Sequence, residues 1–418
     1  MIIEERSLVI IGAGPAGLAA AVKAKKKGME DVLLLERDNQ LGGILKQCIH
    51  NGFGLHIFKE ELTGPEFALR YIRKISEMGI EYKLDTMVIS IDENKNITTV
   101  NPQDGLRIYK AGAIILAMGC RERPRGALRI PGTNPSGIFS AGTAQRFVNI
   151  EGMKPGKTAV ILGSGDIGLI MARRMTLEGM KVKAVCEIMP HPGGLTRNIV
   201  QCLEDFDIPL KLSHTVTQIH GRTRLEGVTI SRVDENYRPI EGTEQYIKCD
   251  TLLLSVGLIP ENELAEEAGV LLDPATKGAL VNQHLETSVD GIYACGNVLH
   301  VHDLVDYVAL EAERAAESAV RRLKGKSESG TKRISVIPGN GVRYTVPQFI
   351  DKGSKDEKIK IYFRSGSILK SVRVNAVCKG KTIYSKKFKR LVPAEMEYIK
   401  IPTEDLKGSK VLIEAVEK

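Results

Sequence analysis

The chain has 418 residues, 43% of them hydrophobic, so it exceeds one ordinary domain and can bury more than one core. Its net charge of +8 is unevenly spread: residues 321–418 hold 24 Lys+Arg against 10 Asp+Glu (+14), leaving 59 − 24 = 35 against 51 − 10 = 41 (−6) for the first 320. The opening MIIEERSLVI lacks the features of a signal peptide, no apolar run reaches the roughly 18 residues that span a bilayer, and the basic tail lacks interleaved aromatic residues, so secretion, a membrane span and nucleic-acid binding are set aside.

A cytoplasmic location follows as the expectation, and the cysteines agree with it. Cys48, Cys120, Cys186, Cys202, Cys249, Cys295 and Cys378 form no CxxC pair and no metal-ligand spacing, the usage of reduced thiols, so no metal site is expected.

The first predicted elements are an apolar strand, a glycine turn and a helix. SLVIIGAGPAG supplies Gly12, Gly14, Pro15, Ala16 and Gly17, Gly28 closes the helix, and the next strand, VLLLE, ends at Glu36, followed by Arg37. In such a turn the first glycine makes the tight corner, the second admits a pyrophosphate to the backbone amides, and the third lets helix and strand pack closely. The acid at the end of the second strand accepts a ribose hydroxyl. Next comes GGILKQCIHNGFG, with Gly42, Gly43, Cys48 and His50, and then a strand, AIILAMG, closing at Gly119.

The same fingerprint recurs 151 residues on. TAVILGSGDIG supplies Gly163, Gly165, Asp166, Ile167 and Gly168, Gly179 closes the helix, and VKAVCE ends at Glu187; in both copies the acid follows the first glycine by 24 residues. A matched pair at one spacing predicts two dinucleotide sites. A strand TLLLSVG closes the second unit at Gly257, TSVDGIYACGN brings Gly296 and Asn297, and a helix is predicted from Asp303 as its N-cap. His300 and His302, just before it, are read as hydrogen-bonded structural residues rather than metal ligands. After a polar linker, 324–332, short alternating runs such as KIKIYF and SVRVNAV predict an all-β, immunoglobulin-like domain over 333–418, tethered and basic, fit to dock an acidic protein partner.

These motifs resemble the two-dinucleotide-binding-domain flavoproteins, the pyridine nucleotide-disulfide oxidoreductase superfamily of thioredoxin and glutathione reductases, over residues 7 to 323. The resemblance implies an α/β fold: an FAD-binding Rossmann-like domain (1–122 and 259–323), an NAD-binding one inserted in it (123–258), and the small C-terminal β sandwich. It implies FAD on Gly12, Gly14, Pro15, Ala16, Gly17, Glu36, Arg37, Gly42, Gly43, Gly119, Gly296 and Asn297, the last standing where the family usually has aspartate. It places NAD(H) on Gly163, Gly165, Asp166, Ile167, Gly168, Glu187 and Gly257. Glu187 favours NAD over NADP, because a carboxylate repels a 2′-phosphate and residues 188–194 hold no Arg or Lys.

The dithiols of the reductases are missing: SAGTAQ (140–145) stands where thioredoxin reductase has its CxxC, and Cys48 is alone after Gly43. Exchange needs an attacking and a resolving thiol, which leaves hydride transfer between nicotinamide and flavin. Cys48 and His50 stay open as a redox thiol with a proton carrier or as inert structural residues. The longer motifs resemble a branch containing the α subunits of opine oxidase, hydrogen cyanide synthase and L-proline dehydrogenase, and proteins that accompany a glycerol-3-phosphate dehydrogenase-like flavoprotein. That implies a complex subunit working with a partner dehydrogenase flavoprotein and a small cysteine-rich or iron–sulfur protein. A homo-oligomer, a free-standing NADH oxidase or diaphorase using Cys48, and a subunit with structural FAD remain alternatives.

Overall fold

The computed structural model describes residues 2–326, 333–352 and 356–417. The chain forms two compact units, Met1–Cys120 with Pro260–Lys418, and Arg121–Ile259. In the first, the strands Val32–Leu35 and Gly105–Leu116 flank Ile2–Ile11 in parallel, with Glu81–Lys83 beyond the former and Ile292–Ala294 paired to the latter. Every residue of Val32–Leu35 is buried, as expected of a strand covered on both faces. One cover is the helix Pro15–Lys26, which packs on the helix Val305–Leu323; alanines on both, Ala20 and Ala24 on one and Ala312 and Ala316 on the other, are buried and let the two approach closely. A third helix, Gly64–Glu77, begins at a capping box in which Thr63 and Glu66 each satisfy the other's backbone N–H.

The second unit repeats the plan on a smaller scale. Ile138–Ser140, Thr251–Leu254, Thr158–Leu162, Lys181–Glu187 and Leu210–Leu212 make a parallel sheet in that order, beside an antiparallel sheet of His214–His220, Gly227–Arg232 and Gln245–Lys248. Both fold-class expectations, two Rossmann-like sheets and a terminal β region, are met.

The C-terminal strands form a five-stranded and a three-stranded sheet. Val374 and Ile413 from the first share one apolar core with Ile361, Phe363 and Ile401 from the second. Of the predicted linker, residues 327–332 lie outside the described part. The strands themselves are docked rather than merely tethered: Tyr344 and Val346 belong to the core of the first unit, Gln348 Oε1 accepts the Val281 N–H at 3.1 Å, and Asn282 Nδ2 donates to Asp351 at 2.7 Å.

This docking corrects the expected helix start. The helix runs Val305–Leu323 with Leu304 at the N-cap and no side-chain cap, because the Asp303 carboxylate is taken by Arg364 and by the Met396 N–H of the β region. An ion pair with a buried guanidinium outcompetes a single capping bond.

Candidate functional site

The two fingerprint turns match in their bonding. Gly12 and Gly163 have φ of +98° and +99°, and a Cβ there would meet a backbone oxygen at 2.6 Å (Ala117) and 2.0 Å (Ser255). Glu36 accepts the N–H groups of Ala13 at 2.7 Å and Asp38 at 2.9 Å; Glu187 accepts those of Ser164 at 2.9 Å and Met189 at 3.0 Å. Both acids are therefore anchored to the turn they face, and each keeps lone-pair capacity for a further donor, Glu187 at Oε1. The helices that follow, Pro15–Lys26 and Asp166–Leu177, both start without a side-chain cap, leaving first-turn N–H groups directed at any anion placed there.

Around the first turn several distant residues converge. Gly42 donates its N–H to the Ala13 carbonyl at 2.9 Å, a Cβ on Gly43 would lie 2.9 Å from Gly14 Cα, and one on Gly296 would lie 3.0 Å from Ala16 Cβ. Gly14, Ala16, Gly43 and Gly296 thus surround one helix N-terminus, and only glycine fits at Gly43 and Gly296, whose φ are also positive. Asn297 accepts the His302 N–H at 3.0 Å and reaches Cys120 Sγ at 3.7 Å. Gly119 is half-buried with φ +74°, and Arg37 is exposed beyond Glu36.

A scan against family models matches residues 6–320 to the family described as pyridine nucleotide-disulphide oxidoreductase. The chain belongs to that family. Among curated relatives it is 26% identical to one subunit of the opine oxidase of Agrobacterium tumefaciens (strain Ach5), over 69% of this chain and 60% of that one. It is 24% identical to hydrogen cyanide synthase subunit HcnB of Pseudomonas protegens, over 63% of this chain and 58% of the relative. The chain thus spans about 60% of the length of these relatives. Its structure is similar to thioredoxin reductase of T. acidophilum, with a TM-score of 0.62, 25% identity, and coverage of 76% of this chain and 99% of that one.

Members of the pyridine nucleotide-disulphide oxidoreductase family are FAD-dependent, with NAD(P)H as substrate or cofactor. The residues here fit both groups: two uncapped helix N-termini, each behind a glycine that a Cβ would block, each with a glutamate anchored to the turn. In the second unit Gly168 packs on Gly163, where a Cβ would lie 2.7 Å from its carbonyl oxygen. A Cβ on Gly165 would lie 3.7 Å from Ser255 Oγ, an ordinary contact; Ile167 is half-buried and Gly257 is exposed with φ +102°. Asp166 takes a part its spacing did not announce: its carboxylate accepts Leu195 N–H at 2.8 Å and Asn198 Nδ2 at 2.7 Å, bracing residues 193–198.

Cys48 and His50 belong to the segment that packs against the helix Gly64–Glu77. Cys48 Sγ donates to the Ile44 carbonyl at 3.3 Å, burial pushes its thiol up to about 12, and His50 packs on Phe53 with ring centroids 5.0 Å apart. A thiol so placed is protonated at neutral pH and is a poor nucleophile. Replacing Cys48 by Ser is therefore expected to leave the rate of NADH-driven flavin bleaching within about twofold in stopped-flow measurements, since no thiolate is lost. A tenfold fall would restore the redox-thiol reading.

The structure also gathers residues that sequence reading left apart. Asp306 accepts the N–H groups of Gly54, His56 and Ile57 at 3.0, 3.1 and 2.9 Å, tying the segment after His50 to the start of the helix Val305–Leu323. Glu311, on that helix, accepts Nε2 of His300 at 2.9 Å and of His302 at 3.0 Å, and the three side chains bring their ligating atoms within 4.8 Å of one another. The available signal was Glu311 itself, a carboxylate on the apolar stripe between Val308 and Ala315.

Proposed function

We propose that this chain passes electrons between NAD(H) and a partner dehydrogenase by way of FAD, without an internal dithiol. The observation that carries the reading is the doubled turn: one anchored glutamate and one uncapped helix N-terminus in each unit, an arrangement suited to two dinucleotides. Bound FAD supplies two-electron exchange with nicotinamide. The chain's own residues hold the pyrophosphates by amide N–H groups, orient each ribose through Glu36 or Glu187, and fix the flavin-side backbone at Gly43, Gly296 and Asn297. None of these roles needs a side-chain acid or base.

The electrons then need an exit other than a dithiol, because no CxxC is present and Cys48 is held as a thiol. The opine oxidase and hydrogen cyanide synthase relatives are both named as subunits of larger enzymes, which supports an exit into a partner flavoprotein. A glycerol-3-phosphate dehydrogenase-like protein is the partner that the sequence resemblance names, with a small cysteine-rich or iron–sulfur protein beside it. The exposed Lys387, Lys389 and Arg390 of the terminal region offer the basic surface for docking it.

NAD is preferred over NADP. Glu187 is buried and already accepts Ser164 Oγ at 2.6 Å, so a 2′-phosphate would meet a fixed negative charge. The test is an anaerobic titration of the FAD-loaded chain with NADH and with NADPH. Stoichiometric bleaching by NADH and a response to NADPH at least tenfold weaker are expected; flavin untouched by either nucleotide would overturn the hydride step.

A further inference from the structure

Glu311 is a carboxylate in a place made for alkyl groups. Its side chain is 0% exposed, those of His300 and His302 are 1% and 0% exposed, and Val308, Ala312 and Ala315 line the same helix face. Burial by itself raises the Glu311 pKa, yet His302 and His300 override it and hold the carboxyl well below the usual range. An ionised carboxylate only accepts. Both imidazoles must then donate Nε2–H to it, His300 to Oε2 and His302 to Oε1, where the Gly296 N–H at 2.8 Å also donates.

That assignment leaves both Nδ1 atoms as bare lone pairs, and both are buried without a hydrogen-bond partner among the described residues. An ion seated among the three side chains would take both Nε2 atoms and put the ring protons on Nδ1. Histidines that hold a metal through one nitrogen normally have the other nitrogen's N–H fixed by a carboxylate or carbonyl. An ion on Nε2 would displace both bonds to Glu311, whereas a proton added at Nδ1 leaves them in place, so the arrangement suits a proton better than an ion.

The charge around the trio is unbalanced. Glu311, a carboxylate that accepts one N–H from each imidazole, brings one negative charge into a buried site. Tyr344 and Tyr362 pack against the rings from the β region; Arg364, on the strand of Tyr362, is committed to Asp303, and Arg314 to the Gln283 carbonyl. Lys360 lies over the Tyr362 and Tyr398 rings and donates to the Tyr362 hydroxyl at 2.6 Å, and Cys295, on the near side, is a buried thiol. A proton on either Nδ1 would neutralise the trio without breaking a bond to Glu311.

We propose that His300, His302 and Glu311 form a proton store for the flavin: one imidazole takes a proton from solvent at Nδ1 when FAD held beside Gly296 is reduced, and returns it on reoxidation. The balance is simple. Two electrons and one proton arrive together as hydride, NADH leaving as NAD+; the hydride adds one negative charge beside Gly296, and the stored proton offsets it. No bond within the chain breaks. The three residues act through charge and through the Gly296 N–H, as positioning and proton-holding groups. The inference rests on FAD beside Gly296 and not on the identity of the electron donor or partner.

The test is the flavin midpoint potential as a function of pH, by mediated titration with a chemical reductant, in the wild type and in the His300→Gln/His302→Gln double variant. Glutamine keeps a donor for Glu311 and removes the basic Nδ1. The wild type is expected to take up one proton more per two electrons, a further tenfold change in the reduction equilibrium per pH unit, or about 30 mV. Equal slopes overturn the proposal, as does a stoichiometric metal ion in the wild type that the double variant lacks. Should the double variant not retain FAD, histidine ring resonances of the wild type decide: an imidazole becoming charged on reduction is expected, and none doing so overturns it. Because the reductant is not a nicotinamide, a steep wild-type slope together with no response to NADH would sink only the proposed hydride donor.

Discussion

Gly12→Ala is expected to give a chain that no longer retains FAD, and Gly163→Ala one that stays yellow but is not reduced by NADH. At both positions φ is close to +100°, and a Cβ would sit 2.6 Å from the Ala117 oxygen or 2.0 Å from the Ser255 oxygen. The methyl group therefore forces the turn open at its tightest point, and the amides of the following helix lose their common aim. A backbone conformation that alanine resists costs about 1–3 kcal/mol before the clash is counted, so a loss of affinity of at least about 100-fold is expected at the affected site. The two substitutions are alike in chemistry and differ in the unit they strike.

The measurements are the flavin-to-protein ratio after gel filtration and the stopped-flow rate of bleaching by NADH. Gly163→Ala should still be bleached by dithionite, which separates a damaged nicotinamide site from a damaged flavin. Loss of FAD from Gly163→Ala, with FAD retained by Gly12→Ala, would reverse the assignment of the two turns.

Those turns were legible in the sequence because most of what builds them is local, although the Ala117 and Ser255 oxygens that close against Gly12 and Gly163 are not. Gly12 to Glu36 runs from the end of one strand through one helix to a second strand, and most residue types there answer a constraint met within that span: a positive φ, a close helix packing, an anchored carboxylate. The second copy made the reading firm by repeating the spacing. Asp166 was legible as part of the turn but not in its actual work, since the bonds it makes go to Leu195 and Asn198, about 30 residues away.

The rest was hidden by distance. Asp303 has the residue type and position of an N-cap, and only the arrival of Arg364 from a strand 61 residues later explains why it does not cap. His300 and His302 read as hydrogen-bonded structural residues without their acceptor being named, because the residue that joins them is about ten positions further along and is disguised as one more charge in EAERAAE. A charged side chain at 0% exposure breaks the helix's apolar stripe, and such a break is more telling than the alternation of the histidines. The β region's basic surplus was visible from composition, but composition says nothing about the face turned inward.

That inward face makes the second large prediction. Arg364→Ala is expected to destabilise the unit formed by Met1–Cys120 and Pro260–Lys418 by about 3–5 kcal/mol, because it strips a buried ion pair of one partner. Arg364 ties the β region to the segment before the helix Val305–Leu323 with every arm of its guanidinium. It donates to the Val301 carbonyl at 3.0 Å and to Asp303, to the carbonyls of Pro393 and Ala394 at 3.1 and 2.5 Å, and to the Tyr344 hydroxyl at 3.0 Å. Without it, Asp303 keeps only the Met396 N–H among the described residues, and three carbonyls lose a donor. Lysine cannot substitute, since one ammonium does not span that fan of acceptors.

A fall of about 10 °C in the unfolding midpoint of that unit is expected by calorimetry, and it should be nearly independent of salt, as befits a pair with side chains 11% and 17% exposed. Asp303→Ala combined with Arg364→Ala should cost less than the sum of the two, since the double change leaves no uncompensated charge. The functional consequence follows from where Asp303 sits. Asn297 and His302 precede it and Asp306 follows it, so loosening this joint should also lower flavin retention, although no residue of the β region belongs to the fingerprint. A variant that loses its midpoint but keeps FAD as tightly as the wild type would show that the β region stabilises the fold without bracing the cofactor. Retention lost in step with stability would give the region two distinct faces: a buried one that holds the flavin-side segment in place, and an exposed basic one free to meet a partner.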